Sequence, residues 1–158
     1  MPLLDRNGWK ADAFARDPAA DARIVPFAEL DAALAARRAG AGVGVHLPNN
    51  IHPRGVMPWQ DRLDLIAIAF PRFSDGRGFS LGRMLREQGY RGLLRASGWV
   101  IPDQFAFALH CGFDEVEIDE EHAARQPIEQ WLHAAGLISE SYQDTRDGFV
   151  SVFKQRRA

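Results

Sequence analysis

The sequence predicts an α/β fold in which short parallel strands alternate with helices, either as a half-barrel-like (β/α)4 curl or as a small open sheet. Three observations predict it. Four short apolar or β-branched runs, VGVHL, LDLIAIAF, LLRA and EVEI, are separated by stretches of helical spacing. Connections of that length imply parallel pairing through right-handed crossovers. LDLIAIAF is apolar without alternation, as a strand covered on both faces should be. Two glycine-rich joints between strand and helix, and no GxGxxG after the first strand, favour the barrel-like curl.

Residues 1–25 are rich in Ala, Asp, Arg and Pro, with Leu3, Leu4, Trp9 and Phe14 as apolar anchors. They read as an irregular or edge segment that packs loosely, ahead of a single α/β domain over 26–158. PFAELDAALAARR places Phe27, Leu30, Ala33 and Leu34 at helical spacing, with Pro26 near the start and Gly40 beyond the end. The first strand, Val43 to Leu47, is closed by PNN, and the second runs from Leu63 to Phe70. Ser80 then opens a helix with Leu81, Met84 and Leu85 inward and Gly89 as its left-handed stop. The third strand covers Leu93 to Ala96. IPDQFAFALHCG is a helix with Pro102 in its first turn, Phe105 and Leu109 inward, and Gly112 as its stop. Glu115 to Ile118 is the fourth strand, and IEQWLHAAG is a short helix closed by Gly136. A last extended segment is expected around Phe149 to Phe153.

The 158 residues suit one domain. A net charge of −2 builds no basic face for nucleic acid. No segment reaches the roughly 18 apolar residues of a membrane span. The single cysteine, Cys111, can close no internal disulfide or zinc cage, and MPLLDRNGWKADAF carries charges where a signal peptide needs an apolar run. A cytoplasmic location follows as the expectation.

In either architecture ligands gather beyond the carboxyl ends of the strands. The loops converging there carry Asn49, Asn50 and His52; Arg72, Asp75, Arg77 and Ser80; Arg95, Ser97, Trp99, Asp103 and Gln104; and Asp119 to His122. FSDGRGFS, Phe73 to Ser80, is the most informative. Gly76 and Gly78 can take positive φ and free their N–H groups, which with Ser80 and the helix start would make an anion seat. Arg77 adds a planar fork for a carboxylate, phosphate or sulfur oxyanion. Arg95 would point to the same mouth if its strand ends near Ala96. A structural reading stands beside this one: Asp75 caps the turn and Arg77 pairs with it or with Asp103. Cys111 reads as a buried small hydrophobe, His46 as a core histidine, and Asp119 to His122 as a solvated loop or first helical turn. IHPRGVMPWQD, with His52 and Trp59, is a proline-broken loop suited to a lid.

The run FPRFSDGRGFSLGRMLREQGYRGLLRASGWVIPDQFAFALHCGFDEVEI resembles the centre of the DUF934 family of uncharacterised bacterial proteins. The DGRGFS loop, the LRE-GY-G-LRA spacing, the DQ pair and the CGFD turn carry the resemblance, which extends over about Gly42 to Gln143 and includes SYQ. Asp75, Gly76, Arg77, Gly78, Phe79 and Ser80 match the family's loop, as do Arg95, Asp103 and Gln104. Ser97 and Trp99 depart from it, where the family more usually has glycine and aspartate. The resemblance implies a gene neighbourhood of sulfite reductase and an oxidoreductase label resting on it. With one cysteine and no Gly-rich fingerprint, no cofactor of the chain's own is expected, and the redox centre would belong to a partner. The first expectation is therefore an accessory protein acting with sulfite reductase or its electron donor. The second is a small enzyme or binding module for an anionic metabolite. There Gly76, Arg77, Gly78, Ser80, Arg95 and Gln104 would bind the ligand, and Asp75 or Asp103 would act as acid or base. No metal site is expected. An exposed apolar edge would favour association with that partner or as a homodimer.

Overall fold

The computed structural model describes residues 1–137 and the short strands Glu140–Ser141 and Val150–Ser151. In chain order the elements are β1 (Leu3–Asp5), β2 (Gly8–Lys10), β3 (Ala22–Pro26), α1 (Leu30–Ala35), β4 (Gly42–Leu47) and β5 (Leu65–Phe70). Then come α2 (Arg77–Glu87), β6 (Leu93–Gly98), α3 (Pro102–His110), β7 (Glu115–Glu117), α4 (Glu120–Arg125) and α5 (Ile128–Leu137). β8 (Glu140–Ser141) and β9 (Val150–Ser151) pair in parallel, apart from the main sheet. The remainder of the expected segment around Phe149 to Phe153, and the rest of SYQ beyond Ser141, lie outside the described residues.

The main sheet has seven strands in the order β2-β1-β7-β6-β5-β4-β3. It is open, not a closed barrel, so the small open sheet is the architecture found. β3 to β7 are parallel and follow chain order across the sheet, while β1 joins β7 and β2 antiparallel. Successive right-handed crossovers taken in one direction place every connecting helix on the same face. The core has that form. Val45, Ile66, Ile68, Ala96 and Val116 of the sheet share one cluster with Leu34 of α1, Leu85 of α2, Phe105 of α3 and Trp131 of α5.

For residues 1–25 the edge segment is the alternative found: β1 and β2 form one edge of the sheet and β3 the other, with Leu3 and Leu4 buried where β1 pairs with the short β7, while most residues between Trp9 and Asp21 are exposed. α2 begins three residues before the expected Ser80, and its inward face is Phe79, Leu81, Gly82 and Leu85, leaving Met84 exposed. Gly89 and Gly112, each two residues past the last residue of a helix, take φ of +99° and +92° and turn the chain back toward the next strand. Gly136 closes nothing: it lies within α5, with open space around it.

A Cβ on Gly78 would sit 2.5 Å from the Phe70 ring. Gly78→Ala is therefore expected to lower stability by about 1–3 kcal/mol through overpacking. Gly136→Ala should instead raise it, by about 0.5–1 kcal/mol, by removing glycine from an exposed position of a helix. Urea denaturation of both variants measures the contrast, and equal effects would count against this account of Gly78.

Candidate functional site

β5 ends at Phe70, β6 at Gly98 and β4 at Leu47, so their following loops meet at one edge of the sheet. FSDGRGFS lies there. Gly76 is the N-cap of α2 with φ −78°, and Gly78 is already helical, so neither takes the left-handed conformation expected of it. Gly78 is small because Phe70 fills its space. Asp75 occupies the helix start: its Oδ1 accepts from the Arg77 backbone N–H at 3.3 Å. Its two oxygens also accept from Arg77 Nε at 2.9 Å and Nη2 at 2.7 Å. The guanidinium and then the neighbouring Asn49 amide hold the Asp75 carboxyl well below the usual carboxylate range. Asn49 Nδ2 makes no hydrogen bond of normal geometry, so its effect is that of a nearby dipole.

Gln104 ties this loop to α3. Its Nε2 donates to the Phe73 carbonyl at 2.6 Å and its Oε1 accepts from Ile101 N at 3.4 Å. Asp103 in the first turn of α3 and Ser80 in α2 are exposed. Around them Phe73, Trp99 and Phe107 stand 58%, 49% and 46% exposed, and Phe107 packs edge-on against Phe79 with centroids 5.1 Å apart. Asp75, Gly76, Arg77, Gly78, Ser80, Asp103 and Gln104 thus share one edge.

Arg95 does not join them. β6 continues to Gly98, so Arg95 is mid-strand, and the alternation that buries Leu94 and Ala96 under the helices turns it to the other face. It is 1% exposed there. Arg95 Nε donates to Glu115 Oε1 at 2.8 Å, while Nη1 and Nη2 donate to Asp12 Oδ2 and Oδ1 at 2.7 and 2.6 Å. Burial opposes its charge, but Asp12 and Glu115 more than offset that and raise its pKa. Alongside, Arg16 Nη2 and Ser97 Oγ donate to Glu117 Oε2 at 2.8 and 2.9 Å, and Lys10 Nζ donates to Glu115 Oε2 at 2.8 Å.

Sequence reasoning missed Asp12, Arg16, Glu115 and Glu117. The signal was present for the last two: Glu115 and Glu117 alternate with Val116 and Ile118, as Arg95 and Ser97 alternate with Leu94 and Ala96. Two adjacent strands with the same period-two polarity mark a second, polar face.

The remaining candidates have structural partners. Cys111 is buried at the end of α3, and burial pushes its thiol up to about 11. Asp119 caps α4 by accepting from His122 N at 2.7 Å, and His122 Nε2 lies 2.8 Å from Gln126 Oε1. His52 Nδ1 accepts from Arg54 N, and Trp59 packs edge-on against Phe27, so IHPRGVMPWQD is folded onto the core. His46 lies in β4 on the face of Arg95. Burial, then Arg16, lowers its pKa, with Glu117 acting in the opposite sense.

The two arginine pairs should behave oppositely. Arg95→Ala leaves Glu115 and Asp12 without their shared cation, and breaking a buried pair costs about 3–5 kcal/mol. Arg77→Ala removes an exposed pair and should leave urea midpoints nearly unchanged. A large loss on Arg77→Ala would make Asp75–Arg77 a structural staple. For Cys111, a rise from 9.0 to about 11 leaves roughly a hundredth of the ordinary thiolate near neutral pH. Alkylation of the native protein should be at least that much slower than in urea, and similar rates would mean that the thiol is accessible.

Comparison with curated proteins yields no match. The model of one family, bacterial proteins of unknown function designated DUF934, matches residues 44–153, well over half of the chain. That stretch runs from within β4 to beyond β9, and includes the FSDGRGFS loop, Arg95 and the Asp103–Gln104 pair. The chain belongs to the DUF934 family.

Proposed function

We propose that this protein is an accessory component of assimilatory sulfite reduction, acting by contact with sulfite reductase or its electron donor. The observation that carries the contact reading is the edge where β5 and β6 end. Phe73, Trp99 and Phe107 stand exposed there beside an arginine whose charge is already matched by Asp75. Aromatic residues and arginine are the side chains enriched in protein interfaces and their hot spots. Gln104 fixes the Phe73 loop through its carbonyl, so this surface is held in place before any partner arrives.

The tie to sulfite reduction rests on the gene neighbourhood that family resemblance implies. The chain's one thiol supports placing electron transfer in a partner, because Cys111 is buried and poorly ionised. Two surface hollows lie elsewhere, one lined by Arg37, Ala41 and Val43 and the other by Asp61, Gly92 and Asp114.

A second reading, binding of an anionic metabolite at the start of α2, is favoured by Arg77, whose side chain is 63% exposed. Asp75 holds the Nε–Nη2 side of that guanidinium and matches its charge, so an entering anion would meet the Nη1 end of a pair already neutralised.

The test is growth of a deletion strain on sulfite or sulfide as sole sulfur source, complemented by the wild-type gene or by Phe73→Ser/Trp99→Ser. Failure on sulfite with rescue on sulfide is expected, and the double variant should fail to complement although it folds. It should also lose co-purification with the reductase or its donor. Equal growth of the deletion strain on both sources would detach the protein from the reductase step. Stabilisation of the purified chain by sulfite, abolished by Arg77→Ala, would move the conclusion to the anion-binding reading.

A further inference from the structure

The second face of the sheet carries charges whose cover comes from elsewhere in the chain. Arg95, Ser97, Glu115 and Glu117 lie on β6 and β7, within the residues 44–153 that the family model matches. Asp12 and Arg16, which neutralise Arg95 and Glu117, lie before that stretch. Residues 11–20 cross the face without helix or extended strand. Their one apolar anchor is Phe14, set against Ile24, Leu65 and Ala67. A pair of backbone hydrogen bonds, Ala15 N to Ala22 O at 2.9 Å and Ile24 N to Ala15 O at 2.8 Å, ties them to β3. The side chains of Asp12 and Arg16 stay 28% and 46% exposed, while Arg95 and Glu117 are sealed beneath them.

We propose that Arg95 and Glu117 form a binding site for a small zwitterion of the α-amino acid class, and that residues 11–20 are a built-in strap filling it. Asp12 stands where the ligand carboxylate would lie, bidentate on Arg95 Nη1 and Nη2. Arg16 stands where the ligand ammonium would lie, on Glu117 Oε2. The two receptor groups are neighbours, Arg95 Nη1 and Glu117 Oε2 being 3.9 Å apart. That separation suits a carboxylate and an ammonium borne by one carbon. Glu115 holds Arg95 Nε from behind and leaves the two-nitrogen edge of the fork for a planar carboxylate. Ser97 Oγ donates to Glu117 Oε2 and fixes the acceptor.

Charge balance selects a zwitterion over a bare anion. When the strap lifts, Arg95 loses Asp12 and Glu117 loses Arg16. A carboxylate or sulfur oxyanion restores only the first pairing and leaves Glu117 with no nearer cation than Arg95 Nη1 at 3.9 Å, whose charge that anion has already matched. A bare cation restores only the second. An α-amino acid restores both, as the strap does. The site lies on the opposite face from the α2 edge, and the proposal is independent of the sulfite reading.

The test compares the full-length wild type with Asp12→Asn/Arg16→Gln, which keeps the strap's shape and removes its charges. Each is titrated by calorimetry with L-alanine, acetate and methylammonium. The double variant should bind L-alanine at least about tenfold more tightly than the wild type does, and at least about tenfold more tightly than it binds either single-charge probe. Adding Glu117→Gln should reduce L-alanine to the level of acetate. A folded double variant that fails to prefer L-alanine over acetate, or binds it no better than the wild type, overturns the proposal. Should the double variant not fold, hydrogen exchange of the wild type decides. Saturating L-alanine should accelerate exchange at the Ala15 and Ile24 amides, and unchanged protection there overturns the proposal equally.

Discussion

A parallel sheet whose strands follow chain order can place its crossover helices on one face only, and the rest of this molecule is arranged around that constraint. β3 to β7 step across the sheet in sequence, so α1, α2, α3 and α5 all close on the Val45, Ile66 and Ile68 side. Among the described residues the opposite face receives no helix. Near β3 and β4 it is covered by apolar contact between Phe14 and the Ile24, Leu65 and Ala67 cluster. Toward β6 and β7 it is covered by ion pairs to Asp12 and Arg16. The N-terminal residues are therefore part of the fold: without them one face of a buried sheet would be left to water.

The same constraint separates the two arginines that a linear reading brings together. Arg77 follows a strand end and stands at the loop edge, whereas Arg95 lies within a strand and takes the face that its neighbours leave to it. Both meet an aspartate with two nitrogens, at similar distances. Their physical weight differs because their surroundings do. Asp75–Arg77 is exposed, screened by solvent and local in sequence, so it shapes a loop and neutralises its charge. Asp12–Arg95 spans 83 residues and is sealed on the arginine side, so it joins the N-terminal segment to the centre of the sheet.

Legibility in the sequence followed the kind of signal. The unbroken apolar run of β5, the helix stops at Gly89 and Gly112 and the first turn at Pro102 are local and were readable as such. The start of α2 was misplaced because the glycines of DGRG read as loop residues, although Gly78 is set by the Phe70 ring packed against it. No local pattern announces such a contact. The loop residues of the candidate site were readable because they are consecutive. The pairing of Arg95 with Asp12 was not, since nothing in ADAFARD marks it as the cover of a strand 83 residues away. The alternation of Glu115 and Glu117 with Val116 and Ile118 did mark a polar second face, and fixing where β6 ends would have sent Arg95 there.

A structural reading of the second face accounts for the cover but not for its chemistry. Covering a sheet needs only apolar groups, and buried ion pairs are often no more stabilising than well-packed hydrophobic residues of similar size. β3 and β5 show the cheaper solution on this same face, with Ile24, Leu65 and Ala67 beneath Phe14. On the next two strands, Arg95, Ser97, Glu115 and Glu117 form a charged array in which every carboxylate has a cation and each nitrogen of the central guanidinium donates to a carboxylate. Such an array is intolerant of partial pairing, because removing either partner leaves a buried charge. A segment that covers it must therefore present an acid and a base at the correct spacing, and Asp12 and Arg16 do so. That requirement is a specificity. It is imposed by β6 and β7 on whatever lies against them, and it is the same whether the occupant is the chain's own N-terminal segment or a molecule that replaces it.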